Sequence, residues 1–385
     1  MMMVRFNNLY SKPIIPFLSF FSSVSSLNRP RTQTSPPIPN PCILNYLLQT
    51  FHLSEPRALS ICNRFSRTKT LEKPQVVVQF LKQQLGFSDA HIRSAVRIAP
   101  QILFSDIDKT LKPKLQFFQE MGVTGPDLSK IISRNSLLLT CSLDRKLKPC
   151  IEIFKKILIN DDKNRDLVLV LRRCTWVASK EPVSKLLCNI AFLHSCGIFG
   201  PQLSMLLKRQ PRLFLMKESV LRNLVSRVVD LGFSIGSRML VHAIYTVSCM
   251  SSETFARKFE LFGSFGFSKD ESMEMFRRAP GLLRTSEDKL KIGIEFYMDI
   301  LRLKKSVLVH RPAVLMSSME ERVIPRYRVL QILKSKRLLK KEPSFLNVLD
   351  LLEGEFLENY ISRFEKDVEE LLVAYKGHFL DSSEE

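Results

Sequence analysis

The stretch RIAPQIL, residues 97–103, decides the fold because variants of it return three more times along the chain. Each variant places one or two basic side chains before a proline and an apolar residue three positions after it. Self-similarity of this kind is typical of repeat architectures, in which one supersecondary unit recurs at a fixed interval. The other variants are KRQPRLF (208–214), RRAPGLL (277–283) and HRPAVL (310–315).

Glycines measure the length of the repeat, because they recur at a constant distance before the prolines. Gly86 precedes Pro100 by 14 residues, and Gly266 precedes Pro280 by the same 14. The glycines at 86, 122, 197, 232 and 266 are separated by 36, 75, 35 and 34 residues, and the longest step spans two units. The repeat is therefore about 35 residues long.

Each unit is predicted to contain two helices separated by a break. Asp89–Ile98 carries its apolar residues on one face, and Pro100 ends that helix because proline lacks an amide proton and clashes with the preceding turn. A longer helix such as Lys109–Met121 follows, and the glycine after it suits a left-handed C-terminal cap. Capping-box spacing predicts helix starts at Ser268 with Glu271 and at Ser317 with Glu320.

A unit of this kind cannot bury its apolar stripe alone. The sequence therefore predicts an all-α fold, a right- or left-handed α-solenoid of about seven units from about Val76 to Leu339, curved around a basic groove. Asn135, Cys174 and Val247 stand where other units have proline, so the middle of the stack departs from the pattern. The apolar residue after each break is predicted to fill the gap between neighbouring units, at Leu103, Leu138, Phe214, Leu283 and Leu315.

The two ends of the chain differ from the repeats. Residues 1–54 are rich in serine and hold four basic and no acidic side chains, which is typical of an organelle transit peptide. A secretory signal is the competing interpretation, although Pro13 and Pro16 interrupt its apolar run. The predicted destination is the mitochondrion, with the chloroplast as the alternative. The predicted segments are a transit peptide and disordered linker (1–50), a linker or first partial helix (51–75), the helical-repeat domain (76–340), and an acidic C-terminal helical cap and tail (341–385).

The charge of the chain points to a polyanionic partner. Lys and Arg total 58 against 38 Asp and Glu, a net charge of +20. Because residues 1–54 carry +4 and residues 341–385 carry −8, the remaining residues 55–340 carry +24. Such a field attracts nucleic acid. No run of 18 apolar residues occurs, so a membrane partner is not predicted.

Basic residues recur at two positions of the unit. The first cation row lies just before each break, where a cation also stabilises the negative end of the helix dipole, so dipole pairing and phosphate contact are both open. The second cation row lies early in the second helix, where the dipole disfavours cations; phosphate contact is the hypothesis, and a solvated face paired with nearby aspartates the alternative. The first cation row consists of Arg97, Arg134, Arg172, Arg173, Lys208, Arg209, Arg277, Arg278 and Arg311. The second cation row consists of Lys112, Lys114, Lys146, Lys148, Lys291, Arg326 and Arg328. Two further candidates, Arg212 and Arg284, follow the break.

The four break motifs resemble those of the mTERF (mitochondrial transcription termination factor) family, particularly its plant branch, over residues 76–340. The resemblance implies an organellar, non-enzymatic, nucleic-acid-binding protein. We predict that it binds double-stranded DNA along the basic groove to regulate transcription. The alternatives are an RNA-binding factor for group II intron splicing or transcript processing, and a protein-binding scaffold in organellar ribosome assembly. Pentatricopeptide repeats share the period, but a proline inside the unit argues against them.

Catalytic and metal-binding patterns are missing from the sequence. No phosphate-binding glycine loop, nucleophile elbow or H-E-x-x-H string occurs. The eight cysteines form no C-x-x-C pair, and His194 with Cys196 lacks two further ligands at usable spacing. We therefore predict no catalytic residue, no metal and no cofactor. We also predict that the protein is a monomer.

Overall fold

The computed structural model describes residues 40–174 and 180–377, and all regular structure in these two stretches is helical. The predicted all-α fold is confirmed. Residues 1–39, which hold most of the predicted transit peptide, lie outside the described residues. The helices are α1 (Pro41–Phe51), α2 (Glu55–Arg64), α3 (Glu72–Leu85), α4 (Asp89–Ile98), α5 (Lys112–Glu120), α6 (Gly125–Arg134), α7 (Lys148–Ile157), α8 (Arg165–Arg173), α9 (Pro182–Ser195), α10 (Gly200–Arg209), α11 (Glu218–Asp230), α12 (Leu240–Ser248), α13 (Ser252–Ser264), α14 (Lys269–Arg278), α15 (Glu287–Glu295), α16 (Lys305–His310), α17 (Ile324–Ser335), α18 (Phe345–Asp350), α19 (Glu353–Leu357) and α20 (Val368–Lys376).

A short 3₁₀ turn joins the two helices of most units at the predicted breaks, and in four of the five turns its first residue is a proline. Proline suits this place because its fixed φ fits the first position of a helical turn, where no amide donor is needed. The predicted gap-filling residues are at most 2% exposed, as Leu103, Phe214 and Leu315 illustrate. The 3₁₀ turns are Pro100–Phe104, Ser136–Leu139, Pro211–Phe214, Pro280–Arg284 and Pro312–Met316.

The second helix of several units contains a π turn. Ile107–Leu111, Leu143–Leu147 and Met319–Val323 lead directly into α5, α7 and α17, and Phe296–Ile300 extends α15. The first three of these turns begin at a polar cap; the Asp106 carboxylate, for example, accepts a hydrogen bond from the backbone N–H of Lys109 at 2.8 Å. The second helices are therefore longer than the α-helical segments alone.

The helix pairs stack into the predicted solenoid. Unit one is α4–α5, and the following pairs, taken in order, end with unit seven, α16–α17. First helices pack on first helices, from α4 through α6, α8 and α10 to α12 and again from α14 to α16, and second helices pack likewise, as in α7, α9 and α11. Their buried side chains form one continuous apolar core from Ile43 to Leu349.

Unit five departs from the others at Val247. Helix α12 runs through this residue to Ser248, and α13 begins at Ser252 without a 3₁₀ turn between them. Val247 is buried within the helix at 5% exposure, so its side chain takes part in the core where other units have the break. In unit three, α8 ends at Arg173 and the predicted break residue Cys174 is buried, while residues 175–179 lie outside the described stretches.

The N-terminal boundary of the folded chain was predicted wrongly. Residues 41–50 were assigned to a disordered linker, but α1 begins at Pro41 with Asn40 as its cap. Leu47 and Phe51 are buried at 0% and 1% exposure, and α1 packs on α4. The apolar spacing in α1 buries one face on the repeats, and α3 packs on the first 3₁₀ turn, so the fold starts before residue 51.

Helices α18–α20 close the C-terminal end of the stack and contain a second, smaller core. Phe356 and Leu371 are fully buried there and pack with Val329 and Leu333 of α17. The predicted acidic segment is thus helical as far as it is described.

The helix ends follow the predicted chemistry with one exception. Gly122, Gly197, Gly232 and Gly266 all have φ between 78° and 91°, the left-handed region that favours glycine. The capping box of Ser268 and Glu271 is present. The box predicted at Ser317 is displaced by one residue, because Ser318 is the residue that caps the backbone N–H of Glu321. No helix in the described stretches is long and apolar enough to cross a membrane.

Candidate nucleic-acid interface

The C-terminal ends of successive first helices lie at the same level. The Ser94 hydroxyl of α4 donates to the Ser133 carbonyl oxygen of α6 at 2.8 Å. The Arg173 guanidinium of α8 donates to the Lys208 carbonyl oxygen of α10 at 3.1 Å. Further along, the Gln210 amide donates to the Ser248 hydroxyl at 3.4 Å. The first cation row therefore follows one edge of the solenoid, as the sequence spacing predicted.

Two arginines of the first cation row, and one arginine that follows a break, are exposed and unpaired in the described structure. Arg97 and Arg134 end α4 and α6, and Arg212 lies in the 3₁₀ turn of unit four. All three side chains are exposed and make no hydrogen bond or ion pair within residues 40–174 and 180–377. Arg172 is half-buried, and its Nε has no hydrogen-bond partner.

Other members of the first cation row hold protein partners. Lys208 pairs with Asp166 of unit three at 2.9 Å, with about a third of each side chain exposed. Arg277 and Arg278 both pair with Glu274, at 3.1 and 2.7 Å. The Arg173 guanidinium donates to the Lys208 carbonyl oxygen near the C-terminal, negative end of α10, and the Arg311 guanidinium donates to the Leu346 carbonyl oxygen at the start of α18.

Two predicted phosphate ligands are buried, and their assignment is corrected. Lys114 is 6% exposed, and its ammonium donates to the Leu139 carbonyl oxygen at 2.7 Å. Burial lowers the pKa of this ammonium. The Arg326 side chain is fully buried over the Phe356 ring, with 4.6 Å between guanidinium carbon and ring centroid. Neither group is accessible to a phosphate.

Lys114 belongs to a set of clamps that the sequence analysis missed. In each, a donor in the second helix of one unit reaches a carbonyl oxygen at or just after the end of the next unit's 3₁₀ turn or, in the case of Arg322, a carbonyl oxygen of α18. In four of the five clamps the donor is a cation that faces carbonyl oxygens at the negative end of a short helical segment, which explains its position without any ligand; in the fifth it is the Asn189 amide. The separation is 27 residues in four of five cases, a sequence signal that was available. The clamps are Lys114 to Leu139 (2.7 Å), Asn189 to Met216 (3.0 Å), Lys258 to Thr285 (2.6 Å), Lys289 to Met316 (2.9 Å) and Arg322 to Leu349 (3.0 Å).

The remaining members of the second cation row stay at the surface. Lys112 pairs with Asp108 at 2.6 Å and Lys148 with Asp144 at 2.8 Å, both across one helical turn. Exposed pairs of this kind contribute about 0–1 kcal/mol, so a phosphate can replace the carboxylate. Lys146 is half-buried and has a protein partner. Lys291 and Arg328 are exposed and have neither ion pair nor side-chain hydrogen bond in the described parts of the chain.

The structure brings two distant predicted residues to one aromatic ring. The Arg209 guanidinium lies 5.6 Å and the Arg284 guanidinium 4.4 Å from the centroid of Tyr245 in α12. Arg284 also donates to the Thr246 hydroxyl at 3.1 Å. Burial and the two guanidinium groups lower the pKa of the neighbouring His242. Unit five has no basic residue in the first cation row, and this cluster bridges that gap between units four and six.

An open cleft of about 570 Å³ adjoins the cluster and is lined by Tyr245, Cys249, Lys258 and Arg284. Sequence spacing alone gave Tyr245 no role. Its partners come from the units before and after, so only the stacking of three units reveals the arrangement. Within the described residues no three His, Cys, Asp or Glu side chains lie close enough together to hold a metal ion.

Comparison with known sequences agrees with this architecture. The profile of the family described as mTERF matches residues 78–245 and 238–357, which together make up more than half of the chain. The chain therefore belongs to the mTERF family, and the predicted resemblance is confirmed.

One relative is the protein named Transcription termination factor MTERF8, chloroplastic, from Arabidopsis thaliana. It is 23% identical to this chain over 269 residues, which cover 69% of the chain and 51% of the relative. The chain thus spans about half the length of this relative.

Proposed function

We propose that the chain binds double-stranded DNA in an organelle and regulates transcription there. The observation that carries this proposal is the set of exposed, unpaired guanidinium groups of Arg97, Arg134 and Arg212 along the in-register edge of the solenoid. Guanidinium binds phosphate through paired N–H donors and stays charged at every physiological pH. Such a row can follow the backbone of a duplex, unit by unit.

Electrostatics supports the same partner. Residues 55–340 carry a net charge of +24, and the closest protein partners of Lys112 and Lys148 are exposed carboxylates that a phosphate can displace. If about five phosphates are neutralised, the logarithm of affinity falls with the logarithm of salt with a slope of about −4.5. Affinity then drops several hundredfold between about 50 and 200 mM salt.

RNA is the second candidate, for intron splicing or transcript processing, and the Tyr245 cluster favours it. Recognition of unpaired bases uses aromatic rings and guanidinium planes, and here one half-buried ring has a guanidinium group from each neighbouring unit. The same groups serve a duplex equally well as phosphate ligands, so duplex DNA stays the first candidate.

The cellular setting is part of the proposal. The relative from Arabidopsis thaliana is named a chloroplastic transcription termination factor, which supports an organelle and a role in transcription. We propose that this chain acts there as a monomeric binding protein without catalytic turnover. Import of the full chain into isolated mitochondria and chloroplasts distinguishes the two organelles.

A competition experiment tests the proposal and separates its two candidates. The full chain is titrated with a labelled 30-base-pair DNA duplex at salt concentrations from 50 to 200 mM, with unlabelled duplex RNA, single-stranded RNA and single-stranded DNA of equal length as competitors. We expect steep salt dependence and the strongest competition from duplex DNA. Strongest competition by RNA favours the second candidate, and flat salt dependence contradicts phosphate binding altogether.

A further inference from the structure

The last unit of the solenoid differs from the earlier ones in what its cations contact. Arg311, the final member of the first cation row, is paired with Asp350 of α18. Its guanidinium also donates to the Asn347 side-chain oxygen at 3.1 Å and to the Leu346 carbonyl oxygen at 3.3 Å. The equivalent residues of units one and two, Arg97 and Arg134, are exposed and unpaired in the described structure.

The second helix of unit seven also contacts the C-terminal helices, in the case of Arg322 through the same kind of clamp that earlier units have. Arg322 donates to the Leu349 and Leu351 carbonyl oxygens at 2.9 and 2.6 Å. The buried Arg326 reaches the Glu353 carboxylate at 3.2 Å. The C-terminal helices thus occupy Arg311, Arg322 and Arg326, whereas Arg328 of the second cation row stays exposed and unpaired in the described structure.

A cleft of about 1070 Å³ marks the place where the basic edge meets these helices. Arg278, His310, Arg311 and Arg322 line it from units six and seven, and all three arginines already hold protein partners. Three carboxylates line it as well, those of Glu321, Asp350 and Glu353. The Asp350 and Glu353 side chains are 66% and 59% exposed, so their charges face the water of the cleft.

We propose that Glu321 and Asp350 are positioning residues that form an electrostatic end stop for nucleic acid. A phosphate entering this cleft meets carboxylates at close range, whereas a phosphate on units one to six meets unpaired or exchangeable cations. The nucleic acid therefore ends, or leaves the protein surface, before unit seven. This inference rests on the proposed function, since it concerns how far along the solenoid the bound polymer extends.

Closure of the stack alone does not account for the charge. A polar outer face is enough to cap a solenoid, yet residues 341–385 carry a net charge of −8. Glu321, moreover, lies in the π turn that begins the second helix of unit seven rather than in the cap helices, and its exposed side chain makes no ion pair among the described residues. Its position in the cleft is explained by repulsion of an anion.

Oxidative footprinting of the full chain tests the end stop. Hydroxyl radicals oxidise Cys249 in unit five and His310 in unit seven, both of which have exposed side chains. In the unmodified protein, a 30-base-pair DNA duplex is expected to protect Cys249 and to leave His310 reactive. In the double variant Glu321→Gln, Asp350→Asn, the duplex is expected to protect His310 too, and the salt slope is expected to steepen by about one for each newly bound phosphate.

The matched control is Glu358→Gln, Glu369→Gln, which changes the net charge equally. Both carboxylates are exposed, have no ion pair in the described stretches and lie outside the cleft. We expect this variant to leave His310 reactive and the salt slope unchanged. Protection of His310 in the unmodified protein, or equal protection in both variants, overturns the end stop while the proposed function stands. Absence of protection at Cys249 in every protein overturns the end stop, because the duplex then does not reach unit five, and flat salt dependence of binding in every protein overturns the proposed function as well. Comparing the protection of Cys249 and His310 in the unmodified protein tests the end stop even if a variant does not fold.

Discussion

The ammonium group of Lys258 donates a hydrogen bond of 2.6 Å to the carbonyl oxygen of Thr285, 27 residues further along the chain. Lys258 is 4% exposed, although it is a charged residue on the second helix of a surface repeat. The bond joins unit five to unit six at the end of a 3₁₀ turn whose carbonyl oxygens lack intrahelical partners. Adjacent units are thus held by charge-assisted hydrogen bonds in addition to apolar packing.

Replacing this lysine tests the contribution of the clamps to stability. Lys258→Met keeps most of the apolar stem but leaves the Thr285 oxygen without its donor, so we expect the free energy of unfolding to fall by about 1–3 kcal/mol. Urea denaturation followed by circular dichroism measures the change. The matched control is Lys291→Met, at an exposed lysine without a partner, which should stay within about 0.5 kcal/mol. Equal effects of the two variants would show that the clamp contributes nothing.

Lys112 and Lys114 lie two residues apart on one helix, but charge reversal at each is expected to affect a different property: stability at Lys114 and duplex binding at Lys112. Lys114→Glu places a carboxylate against the Leu139 carbonyl oxygen in a buried site, and we expect a loss of about 3 kcal/mol or more of unfolding free energy. Lys112→Glu, at an exposed position, should change stability by about 0.5 kcal/mol at most and weaken duplex binding. Thermal unfolding and duplex titration of both variants check this. Normal stability of Lys114→Glu would contradict the burial of its side chain.

The contrast between these lysines shows which features of the fold and the site can be predicted from the sequence. The repeat length, the prolines and the buried Leu103 were predictable because they depend on spacing along one chain. The inward direction of Lys114 was not, since it depends on which carbonyl oxygen the next unit presents. The cluster at Tyr245 depends on three stacked units, so the sequence of any single unit gives no signal for it. Recurrence of a polar donor 27 residues before the end of the next 3₁₀ turn is the one clue that sequence inspection passed over.

Protonation of His242 makes the stability of the folded chain depend on pH. Burial lowers its pKa below the ordinary 6.5, and the charges of Arg209 and Arg284 act in the same direction. The His242 imidazole therefore binds a proton more readily in the unfolded chain than in the folded one. The contribution of the neutral imidazole to the free energy of unfolding is present above pH 6.5 and is lost as the pH falls through the lowered pKa.

A phosphate resting on Arg209 and Arg284 offsets their charges, so duplex binding is expected to raise the pKa of His242. Affinity should accordingly increase as the pH is lowered below 6.5. Titration of the His242 imidazole protons by NMR, with and without duplex, measures the shift. Arg284→Gln is expected to raise the same pKa without duplex. A pKa that duplex leaves unchanged would place the phosphates elsewhere on the protein.

The most direct test of the account is the salt dependence of duplex binding after removal of the unpaired guanidinium groups. The triple variant Arg97→Gln, Arg134→Gln, Arg212→Gln is compared with Lys155→Gln, Lys156→Gln, Lys163→Gln, which removes three exposed, unpaired cations of the described structure near the other end of the units. Binding of a 30-base-pair DNA duplex is measured between 50 and 200 mM salt. We predict that the arginine variant lowers the magnitude of the salt slope by about 2.7, or about 0.9 for each lost phosphate contact, while the lysine variant keeps the slope of the unmodified protein. Equal slopes for the two variants would contradict the proposed binding edge.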